Sequence, residues 1–401
     1  MYKNYTTGKG LSDLLANPLI ATVLILALIA FGEWLSIISR ARIPMLLTAM
    51  VGFLVLTWTG IFPKDILEKS QFAALGAILI GPAIVHMGTM IPLSLVKTQY
   101  KAVLIALGGV VTSGILILLI VPLLFDYPTA VAGVGPVSGG IIALLVTSER
   151  LEELGLTSIV VIPALVVAFQ GLVGMPLALH FMKKYAGVMQ GQIDDGSFVP
   201  MAGEAEEDGE LPKKKAGPLR SSAVLKLFFV FAGAAVGTML GMVTPIHYTL
   251  WCLLIGILGL KAGIFQSSEL QRANSFTIAM LGIIFVVIGT MAGVTPGQVL
   301  DNLPAILAIL GIGTIGISTG GYVMAKLVKW HPFKGMPVAL TALFGFPGDY
   351  ILCEEVSRSC ARNEKEEKLI FNELLAPMII GGFTTVTVAS VVIAGILIKT
   401  L

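Results

Sequence analysis

Apolar residues run in long blocks along this chain, separated by short charged islands. A block of about 20 apolar residues is the length a helix needs to cross a bilayer. Blocks at residues 18–39, 43–62, 72–95 (interrupted at Gly81-Pro82), 102–125 and 158–182 predict spans in the first half. Blocks at 224–243, 246–265, 276–294, 303–327 and 374–398 predict the same number in the second. Two further blocks are broken. Residues 337–357 start apolar, break at Gly345-Phe346-Pro347-Gly348 and then carry Asp349, Glu354 and Glu355. Residues 130–150 break more loosely, at Pro136-Val137-Ser138-Gly139-Gly140. Within lipid, a glycine-proline break followed by carboxylates is tolerated only where protein or water surrounds it. The longest polar stretch, 183–222, holds the acidic run EAEEDGE and then Lys213-Lys214-Lys215, and reads as a solvated linker. It divides the chain into 1–182 and 223–401.

The second half echoes the first. VGFLVLTWTGIF from Val51 aligns with IGILGLKAGIF from Ile255, Gly88-Thr89-Met90 recurs as Gly289-Thr290-Met291, and Ala102-Val103-Leu104 recurs as Ala305-Ile306-Leu307. The separation stays nearly constant across all three matches. Internal repeats in a polytopic chain point to a secondary transporter fold. The placement of Lys and Arg chooses the topology, because cytoplasmic loops carry the excess. If the broken stretches re-enter and the N-terminus is outside, only Lys3, Lys9, Lys64, Lys69, Arg150 and Lys399 fall outside, and the rest of the 26 fall inside. The expected fold is an all-α polytopic membrane protein of two inverted repeats. Each repeat has five transmembrane helices and one re-entrant hairpin, and both termini lie outside the cytoplasmic membrane. The two hairpins then enter from opposite faces and meet near the midplane.

Composition supports the membrane class: 56% of residues are hydrophobic and 12% charged, where a soluble chain carries roughly 25% charged residues. The three cysteines stand in no CxxC spacing and read as small apolar residues. The four histidines are scattered and form no zinc signature. There is no Walker motif, no regular Arg series and no Ser/His/Asp arrangement. ATP drive, voltage sensing and intramembrane catalysis are therefore not indicated. No organic cofactor is implied, and Na+ is the expected coupling ion.

The breaks carry the candidate chemistry. Gly345, Pro347 and Gly348 free backbone groups and permit close approach. A cluster of freed N–H groups at a half-helix start favours an anionic group, and freed carbonyls favour Na+. Asp349 either ligates a cation, takes a proton, or caps a helix beginning at Tyr350. Ser138, Gly139 and Gly140 offer a hydroxyl and bare backbone, with Ser138 as a second candidate Na+ ligand; small residues there also serve helix packing. His86 is a titrating or hydrogen-bonding group, or a histidine satisfied by a neighbouring carbonyl. Gln170 lies mid-span just after the first break. Thr384, Thr385 and Thr387 in the equivalent span either face the site or bond back to their own helix. Glu354 and Glu355, with Arg358, read as a solvated face, and Glu33 as a snorkelling end residue.

Three places carry a resemblance. Gly133 to Gly140 lead into SERLEELG and a span ending GLVGMPLALHFMKK; Gly345 to Asp349 precede the final span; and RIPMLLTAMVGFLV stands early in the chain. With the acidic-then-basic linker between the halves, they resemble the bacterial sodium:glutamate symporter family and, more distantly, the 2-hydroxycarboxylate transporters. The resemblance implies ten spans with two re-entrant hairpins, a homodimer, Na+ coupling and an elevator-like movement of a core against a scaffold. Ile141-Ile142 replace the family's further glycines and histidine, and the second hairpin carries Pro347 and Asp349, so no substrate-reading side chains are carried over. The expected function is Na+-coupled symport of a small anionic substrate or an amino acid, glutamate-like. The alternatives are a proton-coupled exchanger or exporter of the same class of substrate and, from another class, a non-transporting scaffold or channel. The expected partners are the substrate, Na+ or H+, membrane lipid and a second copy of the chain, with no nucleic acid.

Overall fold

Each apolar block folds as a helix, and its ends fall where the sequence supplies a cap or a break. The computed structural model describes residues 16–90, 99–156, 158–198, 222–244, 246 and 248–401. α1 (Pro18–Ile38) starts at Asn17, whose side chain accepts the backbone N–H groups of Leu19 and Ile20, with proline at the first helical position. Next come α2 (Met45–Trp58), the short α3 (Ile66–Ser70), α4 (Phe72–Thr89), α5 (Tyr100–Leu124), α6 (Tyr127–Val137), α7 (Ile141–Glu153) and α8 (Ile162–Asp194). After the central polar segment follow α9 (Ala223–Val243), α10 (Tyr248–Lys261), the short α11 (Glu269–Arg272), α12 (Phe276–Gly289) and α13 (Pro296–Leu327). α13 opens on a capping box between Thr295 and Gln298. The chain ends with α14 (Pro332–Leu340), α15 (Gly345–Cys360), α16 (Glu364–Phe383), a π-helical stretch (Thr384–Ala389) and α17 (Ser390–Leu397). No strand occurs among the described residues.

Among the described residues, seven helices are long and apolar enough to cross a membrane: α1, α4, α5, α8, α9, α13 and the continuous run from α16 through α17. α2, α10 and α12 are apolar but helical for only 14 residues each. Every expected span thus has a helix, and the molecule is a helical membrane protein. One boundary differs. α8 does not stop at residue 182 but runs to Asp194. Met182, Tyr185, Ala186 and Met189 recur at helical spacing and are buried, so the start of the polar stretch is an amphipathic extension of the helix. Residues 199–221 of the expected linker and 91–95 of the expected third span lie outside the described residues.

The helices sort into two groups. In one, α4 packs on α9, α10 and α12, with α1 on α2 and α2 on α12. In the other, α5 packs against α13, α6, α8, α14 and α16 pack on one or both of that pair, and α17 packs on α6 and α7. Small residues set both crossings. A Cβ added to Gly76 of α4 would lie 1.9 Å from the Gly282 carbonyl of α12, and one added to Gly316 of α13 would lie 2.5 Å from Ser113 Cα of α5. α15 packs on α8 and α16 in the second group and also reaches α1 and α12 in the first.

Candidate functional site

The first break follows α6, which is capped by Asp126 accepting the Thr129 N–H. Gly139 and Gly140 then take φ values of 95° and 96°, where a side chain would be strained. Space there is also closed. A Cβ on Gly139 would lie 2.7 Å from the Ala342 carbonyl, and one on Gly140 would lie 2.4 Å from the Val386 carbonyl. The second break begins with a 3-10 turn at Thr341–Leu343. Gly345 has a φ of 52°, Phe346 is extended, and the Phe346-Pro347 peptide is cis. A Cβ on Gly345 would lie 3.1 Å from Val386 Cγ2. The two breaks therefore touch, with Val386 of the π-helical stretch between them.

A cavity of about 210 Å3 lies at this meeting point. Gly139, Gly140 and Gln170 line it from the first half, and Ala342, Phe346 and Val386 from the second. Met50, Ile80 and Ile283 of the other helix group close it. Gln170 is 6% exposed, and among the described residues its Oε1 has no hydrogen-bond partner. A buried amide oxygen left open costs about 1–3 kcal/mol, and a turn of the side chain toward the cavity would let a ligand N–H or cation satisfy it. Among the described residues, no charged side chain lines the cavity. An anionic group would have to be met by backbone N–H groups at the start of α7.

Asp349 stands behind this cavity and does not line it. It is fully buried. Its Oδ1 accepts the Tyr350 N–H at 2.7 Å, while Oδ2 has no partner. Oδ2 points at α16: a Cβ on Gly382 would meet it at 2.9 Å. One oxygen thus bonds the local backbone, and the other is left for a cation or a proton, because a buried unpaired carboxylate oxygen is costly.

The remaining candidates divide. The Ser138 hydroxyl donates to the Gly135 carbonyl at 2.6 Å, within its own turn. Gly348 and Pro347 begin α15 just behind the cavity, and a Cβ on Gly348 would meet the Phe344 ring at 3.1 Å. Thr384 and Thr385 bond back to carbonyls of their own helix, at Ile380 and at Gly381 and Gly382, and Thr387 does the same to Phe383. His86 lies in the other helix group, lining neither this cavity nor the larger one beside α15. Its Nδ1 accepts the Leu270 N–H at 3.2 Å, which serves an open donor in the first turn of α11. Cys252, Cys353 and Cys360 are free thiols, the first two buried.

Three groups take roles that the sequence did not suggest. Glu355 is not solvated: it is 2% exposed, and its Oε1 accepts the Met45 N–H at 2.7 Å. Pro44, at the N-cap of α2, has no side chain able to cap that helix, so the carboxylate arrives from α15 instead. Glu33 is held by Arg358 at 2.6 Å. Lys334 forms a buried ion pair with Glu373, whose Oε1 also accepts the Tyr185 hydroxyl at 3.2 Å. The Lys334 ammonium stands 4.6 Å from the Trp330 ring. This cluster ties α14, the helix leading into the second break, to α16 and α8. A proline at an N-cap is the one sequence signal that pointed to an imported cap.

No protein-family model matches the chain, and no curated protein matches it. Among the described residues, no three or more His, Cys, Asp or Glu side chains converge as a metal site.

Proposed function

We propose that the chain is a secondary active transporter, and that the cavity between the two breaks holds its substrate. One observation supports this reading: broken stretches from opposite halves of the chain meet at a single cavity, which Gln170, a buried amide, also lines. A scaffold gains nothing from such a meeting, whereas a transporter needs irregular backbone at a central cavity. The element order supports an internal repeat. Helices begin at 18, 45, 66, 72, 100, 127, 141 and 162 before the central segment, and at 223, 248, 269, 276, 296, 332, 345 and 364 after it, the last continuing through the π-helical stretch into α17 at 390. The expected topology makes that repeat inverted and the breaks the tips of re-entrant hairpins, in a cytoplasmic membrane with both termini outside.

The cavity is small and lacks a charged side chain, so its substrate is a compact anion or amino acid read by backbone groups and Gln170. Na+ coupling fits the open oxygen of Asp349. Proton coupling fits the same oxygen, and makes the exchanger the second reading. A homodimer with an elevator-like movement follows from the family resemblance. The test is uptake of labelled amino acids and carboxylates by proteoliposomes under Na+ and pH gradients. Na+-driven accumulation is expected. Failure of every substrate under both gradients overturns the reading.

A further inference from the structure

A second cavity, of about 840 Å3, separates α1 and α12 from α15. It shares no lining residue with the cavity at the breaks. Its volume falls within the roughly 300–1,000 Å3 of pockets that enclose drug-sized molecules. Leu26, Ile29, Met280 and Ile284 give it apolar walls. Phe276 and Tyr350 add two rings packed edge to face, 5.2 Å apart.

Its charge is one-sided. Glu33, Glu354 and Glu355 line it, and Arg358 is the single cation on its wall among the described residues. Arg358 is committed to Glu33. Glu355 has one oxygen on the Met45 N–H, while its Oε2 is buried and has no partner. The Ser36 hydroxyl approaches that carboxylate without completing a hydrogen bond.

We propose that this cavity binds an organic cation with an apolar body, such as a protonated amine or a quaternary onium ion. The carboxylates attract the charged head. The two rings and the apolar walls bury the rest. An anion of the same shape meets excess negative charge and is rejected. A bare inorganic ion leaves most of the volume and all of the apolar wall unused. Because the site lies between the two helix groups, its occupant spans their boundary.

Equilibrium dialysis of tetraphenylphosphonium against the full-length protein in nanodiscs tests this, with empty nanodiscs as the blank. Tetraphenylborate supplies a body of the same shape and opposite charge. Saturable binding of the cation is expected, near one per chain, with the anion no higher than the blank. Glu354→Gln with Glu355→Gln should weaken the cation's binding about tenfold or more. Glu355 also caps α2, so Ala30→Trp serves as a second variant: it sets a bulky ring on the cavity wall, keeps every carboxylate and should weaken the cation's binding. Gln170→Ala, in the other cavity, should leave binding unchanged. Equal saturable binding of both ions, or unchanged affinity in the double variant and in Ala30→Trp, overturns the proposal. The readout needs no transport, so it stands or falls apart from the uptake experiment.

Discussion

At the residue scale, the buried oxygen of Asp349 makes the sharpest prediction. Asp349→Asn preserves the shape and the acceptor on the Tyr350 N–H but removes the charge. Uptake should lose its ion dependence while the variant still folds. If Asp349 were only a cap, asparagine, which caps as well as aspartate, would leave both stability and ion dependence nearly unchanged. Gly140 makes a second. Its positive φ and the closeness of the Val386 carbonyl leave no room for a methyl group. Gly140→Ala should abolish uptake and lower the melting temperature of the purified protein, whereas Gly187→Ala, at a position with open space, should do neither. Both residues were visible in the sequence as members of a break. Which of the two lines the cavity was not visible, because the direction of a side chain beyond a break depends on the turn geometry itself.

At the element scale, α14 is held in place by a buried ion pair rather than by apolar contact alone. Removing one partner leaves a buried charge, and the cost is about 3–5 kcal/mol. Lys334→Met should therefore destabilise strongly, and Lys334→Met with Glu373→Leu should recover most of the loss, as read by thermal unfolding in detergent. At the end of α8, Arg362 makes paired bonds to Asp194 at 2.9 and 3.0 Å and also reaches Glu366. The guanidinium holds the Asp194 carboxyl below its ordinary range. A carboxylate held low keeps its contact while the pH falls through the ordinary range and loses it only below. The turn between α15 and α16 should accordingly keep its hydrogen-exchange protection under mild acid, and Arg362→Ala should speed exchange there already at neutral pH. Helix positions were legible because apolar length and proline placement fix them. The extension of α8 was not, since Lys183 and Lys184 hide the buried stripe of Tyr185, Ala186 and Met189.

At the scale of the whole molecule, two helix groups meet along the cavities, and few polar contacts join them. Glu33 with Arg358, and Glu355 with the Met45 N–H, are two of those contacts. If transport requires one group to slide against the other, bridging Glu33→Cys to Arg358→Cys with a short bismaleimide, in a chain freed of its own three cysteines, should stop uptake while leaving the fold intact. Undiminished uptake in the bridged protein would rule out such a slide. The hydrophobic pattern foretold the spans and the paired breaks. It was silent on which spans pack together, because a span apolar on all sides does not declare its inner face. The Glu355 cap went unseen for the same reason: its partner lies 310 residues away.

The brevity of α2, α10 and α12 has a consequence for the lipid around them. A helix of 14 residues is about 21 Å long at 1.5 Å per residue, against a hydrocarbon layer of about 30 Å. Within their helix group these three, unlike α1, α4 and α9, match a thinner sheet of oil than the long helices of the neighbouring group. Acyl chains must compress beside them or the group must tilt, and either costs energy for each ångström of mismatch. Bilayer thickness then becomes a control on how the two groups sit together. The protein should work best in short-chain lipids and slow as the chains lengthen.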